Sequence, residues 1–287
     1  MDNEISTLYG DGYDGYAASY IPDIVYAHKD GMDLHIQMLM PYCAGPENRL
    51  PLLVYVKGSG YFKQNIYGNI PQIAFFAHAG FIVASVEHRP SGIAKSPAFL
   101  VDVKQAIRFL RYNAAQYHID PERIAIAGDS SGGHTAMLVG LTAQDTGFDE
   151  GEHLQYASGV NAVIDLYGVV SLLKMADVPR TILHDEAGLT PEQSLFGMED
   201  FEKYLPDIER IDALNYISKG KPIPPFLILH GTQDDIVPIS QSHLLYEALK
   251  EAKASVQMYE VAGAGHGRRF YSEKLMQIMV DFLKGHL

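Results

Sequence analysis

The alternation of short apolar runs with helical patterns constrains the fold of this chain more than any other feature. The apolar runs, typical of buried strands, are Leu52–Val56, Phe81–Val86, Ile124–Ala127, Val160–Leu166, Phe226–Leu229 and Val256–Val261. The clearest helical patterns are Ala98–Tyr117, Ser131–Ala143, Ser240–Ala252 and Ser272–Lys284. Ahead of them, Ile24–Met40 predicts a hairpin that turns at Asp30-Gly31. Strands that alternate with helices indicate an α/β fold, with a mostly parallel sheet covered on both faces.

Two segments fall outside this alternation. Residues 1–20 are rich in Gly, Tyr and Asp without periodicity, which predicts an N-terminal arm before a single domain over 21–287. Residues 171–224 are long, mixed and interrupted by five prolines. Such a stretch is typical of a lid or cap inserted between two strands, or of an excursion that packs on the surface.

Composition and charge narrow the classes of partner. The formal net charge is −13 and basic clusters are absent, which argues against nucleic acid and anionic membrane surfaces. No run of about 18 apolar residues predicts a membrane span. The first 20 residues lack the basic start and apolar stretch of a signal peptide, so we expect a cytoplasmic protein. Cys43 is the single cysteine and no HExxH pair occurs, so neither an internal disulfide nor a metal is expected.

A candidate nucleophile lies between an apolar strand and a helix. The motif Gly128-Asp129-Ser130-Ser131-Gly132 fits G-x-S-x-G, and strand, sharp turn and helix are the setting of a nucleophile elbow. Glycine is needed at both ends because the turn brings neighbouring backbone very close. A serine-rich helix cap is the plain alternative, and a phosphate loop is disfavoured because no Lys-Ser or Lys-Thr follows. The pattern favours Ser130 as a nucleophile.

The serine would need a histidine base and a carboxylate that orients it. In hydrolases with this elbow the chain order is Ser, acid, His. One later apolar strand ends in a loop with Asp234 and Asp235, either of which fits the acid. The next ends in a loop where glycines flank His266, the natural base. His230 precedes the acids and would break the order, and His134 should point one helical turn away from the serine.

Acyl transfer also needs hydrogen-bond donors for the oxyanion. One is the backbone N–H of the residue after the nucleophile, here Ser131, and the other comes from a loop after an earlier strand, here 57–61. Tyr61, Phe62 and Tyr67 follow in sequence. These three aromatic residues are expected to bind substrate beside the oxyanion hole, unless their rings pack the loop onto the body.

The chain resembles a known family through five motifs. They are Lys57-Gly58-Ser59-Gly60-Tyr61, Ala84-Ser85-Val86-Glu87-His88-Arg89, Gly128-Asp129-Ser130-Ser131-Gly132-Gly133, His230-Gly231-Thr232-Gln233-Asp234 with Val237-Pro238, and Gly263-Ala264-Gly265-His266-Gly267. These motifs are similar to those of bacterial carboxylesterases related to the hormone-sensitive-lipase group, in particular small acetylxylan and feruloyl esterases. The resemblance runs from about residue 25 to the C-terminus.

This resemblance implies an α/β-hydrolase fold with a small lid and no cofactor. It implies Ser59, Gly60 and Ser131 as oxyanion donors, and Asp234 rather than Asp235 as the acid. The sequence departs from the wider family in the Lys-Gly-Ser-Gly motif at 57–60, where His-Gly-Gly-Gly or a close variant is usual. This difference from the family motif is expected to affect which substrate binds, because the same loop also forms part of the pocket wall.

The sequence therefore predicts hydrolysis of a small-molecule carboxylic ester through an acyl-enzyme. Ser130 would attack, His266 would shuttle the proton, and Asp234 would orient the histidine. The expected substrate is a short acyl or aryl ester, with a carbohydrate as one candidate for the alcohol. The alternatives are an amidase or peptidase such as an aryl-formamidase, which uses the same triad, and a non-enzymatic binding protein, which usually lacks a triad member. The sequence leaves the oligomeric state open.

Overall fold

The computed structural model describes residues 17–175, 179–197 and 201–287. Most of the arm predicted for residues 1–20 lies outside this part of the chain. The described residues form one eight-stranded sheet in the order β1-β2-β4-β3-β5-β6-β7-β8. Its strands are β1 (Ala18–Lys29), β2 (Met32–Pro41), β3 (Leu50–Val56), β4 (Ile82–Val86), β5 (Ile119–Asp129), β6 (Ala162–Leu166), β7 (Phe226–Gly231) and β8 (Val256–Val261).

Helices connect most of these strands. They are α1 (Ile70–His78), α2 (Ala98–Tyr112), α3 (Ser131–Leu141), α4 (Leu172–Met175), α5 (Pro191–Phe196), α6 (Leu205–Arg210), α7 (Ser240–Glu251) and α8 (Glu273–His286). No helix in the described ranges is both long and apolar enough to cross a bilayer.

The predicted hairpin is confirmed as the antiparallel pair of β1 and β2. Asp30 and Gly31 form its turn with positive φ angles of 50° and 75°. These are left-handed conformations that Asp tolerates and Gly adopts freely. β2 also pairs antiparallel with β4, and from β4 to β8 all neighbours are parallel.

The central parallel strands are largely apolar because both faces of the sheet are covered. In β3, Leu52 and Val54 belong to a core cluster on one face, whereas Leu53 and Tyr55 belong to a second cluster on the other. All four side chains are at most 1% exposed. Burial on both sides removes the polar alternation of a half-exposed strand, so the predicted α/β architecture is confirmed.

The bounds of α3, α7 and α8 lie within two residues of the prediction, whereas α1 and α2 differ more. α2 ends at Tyr112 rather than Tyr117, and the Asn113 side chain donates to the carbonyl of Phe109 over its last turn. α1 was not predicted. It has nine residues and is apolar nearly throughout, so it shows no contrast between a polar and an apolar face; Pro71 occupies its first turn.

The segment between β6 and β7 contacts the body and borders the site. Its later part packs on the body, where Ile208 and Ile211 are buried in the main core cluster. Its earlier part borders a cleft beside Ser130 through Leu172, Met175, Arg180, Leu183, Pro191 and Glu192. Hydrogen bonds such as the 2.6 Å contact of Ser91 Oγ with Ser194 Oγ join the segment to the loop before α2.

Candidate active site

Ser130 occupies a strained turn between β5 and α3. Its φ of 55° and ψ of −123° are unusual for a residue with a side chain. A Cβ added to Gly128 would lie 2.1 Å from the carbonyl oxygen of Gly132, and one added to Gly132 would lie 2.0 Å from that of Val56. Both glycines are therefore required by the close packing of the turn, which places Ser130 just beyond the carboxyl end of the sheet.

The structure brings Ser130, His266 and Asp234 into one hydrogen-bonded line. His266 Nε2 is 2.9 Å from Ser130 Oγ, and His266 Nδ1 is 2.7 Å from Asp234 Oδ2. His266 follows β8 and Asp234 follows β7, so each is held by a loop at the same edge of the sheet. With Nδ1 donating to the carboxylate, Nε2 is free to accept the serine proton.

The Asp234 carboxylate is held in its charged form. Burial alone would raise the pKa of Asp234, but hydrogen bonds from His230 and His266 outweigh burial and hold this pKa well below its usual range. The other oxygen, Oδ1, accepts the backbone N–H groups of Ile236 and Val237, each at 2.9 Å. The acid is thus fixed in position and stays ionised when the histidine gains a proton.

The alternative candidates for the acid and the base, Asp235 and His230, have other hydrogen-bond partners. Asp235 Oδ2 accepts from the Thr181 hydroxyl at 2.8 Å. His230 is fully buried, and its Nε2 lies between the carbonyl oxygen of Val237 at 2.8 Å and the Asp234 carboxylate at 3.5 Å. His230 is therefore a neighbour of the acid, and its hydrogen-bond partners do not include Ser130.

His134 is also remote from the chemistry. Its Nδ1 lies 2.6 Å from the Tyr61 hydroxyl and its Nε2 lies 2.7 Å from the carbonyl oxygen of Ile211. Burial lowers the pKa of His134 to about 4, against a smaller opposing effect of the Ile211 hydrogen bond. It is a neutral core histidine.

The predicted oxyanion loop is tied to the elbow by the Ser131 side chain. Ser131 Oγ accepts the backbone N–H of Ser59 at 3.0 Å and that of Tyr61 at 3.3 Å. The Ser59 N–H, an expected oxyanion donor, is therefore engaged by a hydroxyl. Gly60 and Ser131 line the cleft beside Ser130.

A second set of hydrogen bonds holds the same loop at Asp129. This carboxylate accepts from the Tyr55 hydroxyl at 2.9 Å, from the Gly58 N–H at 3.1 Å and from the Lys57 ammonium. Tyr55 in turn lies 2.8 Å from the Tyr271 hydroxyl. Because Tyr55 donates to the carboxylate, its oxygen accepts from Tyr271. Lys57, the departure from the family motif, is thus paired with the residue that precedes the nucleophile.

Two spaces meet at Ser130. The wider one has a volume of about 440 Å³ and the narrower one about 30 Å³. The wide pocket is lined by Lys57, Gly58, Ser59, Gly60, Gly68, Asn69, Gln72, Asp129, Ser130, Tyr167, Leu183, Ile236, His266, Gly267 and Tyr271. The narrow cleft is lined by Gly60, Tyr61, Ser130, Ser131, Val169, Leu172, Met175, Arg180, Leu183, Pro191, Glu192, Ile236 and Val237. His266 borders the wide pocket and not the cleft.

The three aromatic residues expected to bind substrate take different positions. Tyr61 borders the narrow cleft, but its ring is buried, with the centroid of Phe99 at 5.1 Å. Phe62 and Tyr67 are absent from the described lining of both spaces. Tyr67 is exposed and donates to Asp23 Oδ1 on β1 at 2.7 Å. Of the three, the structure thus places only Tyr61 in the lining of a space beside Ser130.

Several lining residues escaped the sequence analysis. The Tyr167 ring stands edge-on to His266 at 4.7 Å between centroids, and Tyr167 directly follows β6. Its place at the carboxyl end of a parallel strand is a signal that could have revealed it. Arg180, Leu183 and Glu192 come from the irregular inserted segment, where no periodicity indicates which side chains turn inward.

Comparison with known proteins identifies the family. The BD-FAE family matches residues 38–249, which is well over half of the chain. The chain belongs to the BD-FAE family. The α/β-hydrolase fold and the relation to carboxylesterases that the motifs predicted are both confirmed.

Three relatives illustrate the range of this likeness. Esterase LipQ of Mycobacterium tuberculosis is 32% identical over 77% of this chain and 51% of its own length. A truncated carbohydrate esterase from gut microbiota is 30% identical with a TM-score of 0.82, covering 97% of this chain and 99% of that one. A thermophilic esterase of Thermogutta terrifontis, solved with propionate bound, is 26% identical with a TM-score of 0.74, covering 93% and 94%. The chain spans about half the length of the curated relatives that it matches.

Proposed function

We propose that this protein is a serine esterase that hydrolyses short-chain acyl or aryl carboxylic esters, including esters carried on carbohydrates. The observation that carries the proposal is the line from Ser130 Oγ through His266 to Asp234, with contacts of 2.9 and 2.7 Å. This line opens onto both spaces at the carboxyl end of the sheet. It is the arrangement that makes a serine hydroxyl nucleophilic.

The proposed reaction has two halves. Ser130 Oγ attacks the ester carbonyl while His266 Nε2 takes its proton, and the same nitrogen then protonates the departing alcohol. Water repeats the sequence on the acyl-enzyme, releases the acid and restores the serine. Asp234 remains ionised throughout, keeps Nδ1 protonated and stabilises the imidazolium that forms twice in each cycle.

We assign the backbone N–H groups of Gly60 and Ser131 as donors to the oxyanion. Both residues border the cleft together with the nucleophile. Preorganised donors at this position stabilise charge that develops only in the transition state. The Ser59 N–H bonds to Ser131 Oγ instead, so in this proposal Ser59 supports the loop and its N–H is not an oxyanion donor.

The substrate class is proposed from the two spaces and from the relatives. The narrow cleft suits a small acyl group, and a relative of the same fold binds propionate. The lining of the wide pocket includes the polar side chains of Lys57 and Gln72, which suits a hydroxylated alcohol. A carbohydrate esterase is among the related structures, in agreement with a sugar as the alcohol.

Matched ester and amide substrates test this function against the amidase alternative. We expect the protein to hydrolyse 4-nitrophenyl acetate and to leave 4-nitroacetanilide nearly untouched, with Ser130→Ala inactive on both. Comparable turnover of the anilide would favour the amidase alternative. A folded wild-type protein without activity on either substrate would exclude the proposed triad function.

A further inference from the structure

The lining of the narrow cleft includes an ion pair from the inserted segment. Arg180 Nη2 lies 3.0 Å from Glu192 Oε1, and these side chains are 13% and 24% exposed. Both line the same space as Ser130. Most other side chains there are apolar, among them Val169, Leu172 and Met175. A charged pair is therefore present in an otherwise apolar space, although the chemistry proposed above makes no use of it.

The position of His266 shows which half of an ester this cleft would receive. This inference rests on the proposed function. The imidazole must protonate the leaving oxygen, so the alcohol has to lie in the space that His266 lines, which is the wide pocket. The acyl group then extends into the narrow cleft on the other side of Ser130. A volume of about 30 Å³ holds roughly two groups the size of a water molecule.

We propose that the Arg180–Glu192 ion pair is the end wall of the acyl cleft and limits the acyl group to acetyl or propionyl. The methyl of an acetyl group, or the ethyl of a propionyl group, fills the available space. A longer chain would have to displace the pair. Separating the partners would leave an unpaired charge in a partly buried and mostly apolar space, which costs more than the contact of an added methylene contributes.

Hydrogen bonds of neighbouring residues hold the segments that carry both partners. Glu192 lies in the first turn of α5, where Thr190 and Gln193 form a reciprocal capping box. Thr181, next to Arg180, donates to Asp235 through its hydroxyl at 2.8 Å. Asp235, the rejected candidate for the acid, thus joins the inserted segment to the loop that carries the acid. These anchors make the wall a fixed feature that a longer acyl chain cannot easily displace.

The wall is tested by the acyl-length profile of kcat/KM on 4-nitrophenyl acetate, butyrate and hexanoate. For the wild type we expect kcat/KM to fall at least about tenfold from acetate to hexanoate. In the double variant Arg180→Ala with Glu192→Ala this ratio should shrink at least about tenfold, because the cleft is lengthened while the nucleophile is untouched. Removal of Arg123 and Asp120, an ion pair at the opposite end of β5, is the matched control and should leave the ratio unchanged.

The single variant Glu192→Ala gives an independent readout. It frees the Arg180 guanidinium at the end of an enlarged cleft, so relative kcat/KM for a 4-nitrophenyl hemisuccinate should rise about tenfold over acetate. The double variant should lose that gain. Wild-type hydrolysis of acetate with unchanged profiles in both variants would overturn the wall, as would a wild type that hydrolyses hexanoate as well as acetate. A wild type inactive on every ester would instead refute the proposed function.

Discussion

Asp234 and Asp235 are adjacent in the chain, yet their carboxylates have different partners. Asp234 bonds to His266, whereas Asp235 bonds to Thr181 of the inserted segment. The order of residues in the chain did not decide whether Asp234 or Asp235 is the acid. The conformation of the loop after β7 determines which carboxylate faces the histidine. The family resemblance pointed to Asp234, and the observed hydrogen bonds agree with it.

The two aspartates should differ sharply when each is replaced by asparagine. Asp234→Asn should lower kcat by a factor on the order of 10⁴, since an amide no longer selects the productive imidazole tautomer. Asp235→Asn should cost less than about tenfold, because it changes only the bond to Thr181. Steady-state kinetics on an aryl acetate would measure both, and the opposite ranking would transfer the acid role to Asp235.

Ser131 combines a backbone donor with a side chain that anchors the loop facing it. Ser131→Ala leaves the N–H groups of Ser59 and Tyr61 without their acceptor, so the oxyanion loop should lose its fixed position. We expect kcat to fall about tenfold with little change in KM, as one buried hydrogen-bond acceptor is worth ~1–3 kcal/mol.

A matched substitution separates this anchoring role from a general effect on the loop. Ser59→Ala removes a hydroxyl that donates to Phe62 but keeps the backbone N–H that bonds to Ser131. It should therefore retain most of the activity. Equal kcat values for Ser131→Ala and Ser59→Ala would show that the Ser131 hydroxyl does not position the loop.

Among the structural elements, β6 carries a buried acid beneath the elbow. Asp165 is fully buried, and its Oδ1 accepts the Gly168 N–H at 2.9 Å. Burial raises the pKa of Asp165 to about 7, although the nearby His230 and the Gly168 hydrogen bond act in the opposite direction. The folded protein therefore keeps a proton here that the unfolded chain releases at lower pH.

This difference predicts a pH-dependent stability. Between about pH 4 and pH 7 the folded state holds one more proton, so the contribution of Asp165 to the unfolding free energy falls by about 1.4 kcal/mol per pH unit and is lost above pH 7. Urea denaturation of the wild type and Asp165→Asn at pH 5, 6, 7 and 8 would measure it. The wild type should lose stability relative to the variant up to pH 7 and no further, and a constant difference would contradict a protonated Asp165.

The same elements show how far the sequence can predict the fold. The central strands, such as β3, β4 and β7, were recognisable because burial on both faces leaves largely apolar runs, whereas the edge strand β8 is only partly buried. α1 was missed for the same reason, as a short helix that is apolar nearly throughout resembles one of these runs. The β1–β2 hairpin was predicted from its Asp-Gly turn. However, β1 begins as early as Ala18, and its pairing with β2 shifts register after Ile21, which no local sequence pattern indicates.

The candidate site was predictable where residues follow parallel strands. Ser130, Asp234 and His266 each come directly after an apolar run, so the topology alone brings them to one edge. The side chains of the inserted segment were not predictable, because Arg180 and Glu192 are brought together by turns without periodicity. The expectation that Tyr67 binds substrate was based on its nearness in sequence to the oxyanion loop, which does not determine the direction of its ring.

In the whole protein, the sheet and the insertion between β6 and β7 have different roles at the site. The sheet supplies a rigid edge at which residues 136 positions apart come within hydrogen-bond distance. The insertion between β6 and β7 narrows one side of that edge and leaves the other side open. This division accounts for the proposed preference for a small acyl group on a larger, polar alcohol.

Covalent labelling of the nucleophile tests the central claim most directly. A fluorophosphonate reacts with serines that are activated by a neighbouring base, and intact-mass and peptide spectra locate the adduct. The account predicts one adduct per chain, on Ser130, none in Ser130→Ala, and much slower labelling in His266→Ala. A folded wild-type protein that stays unlabelled, or an adduct that persists in Ser130→Ala, would contradict it.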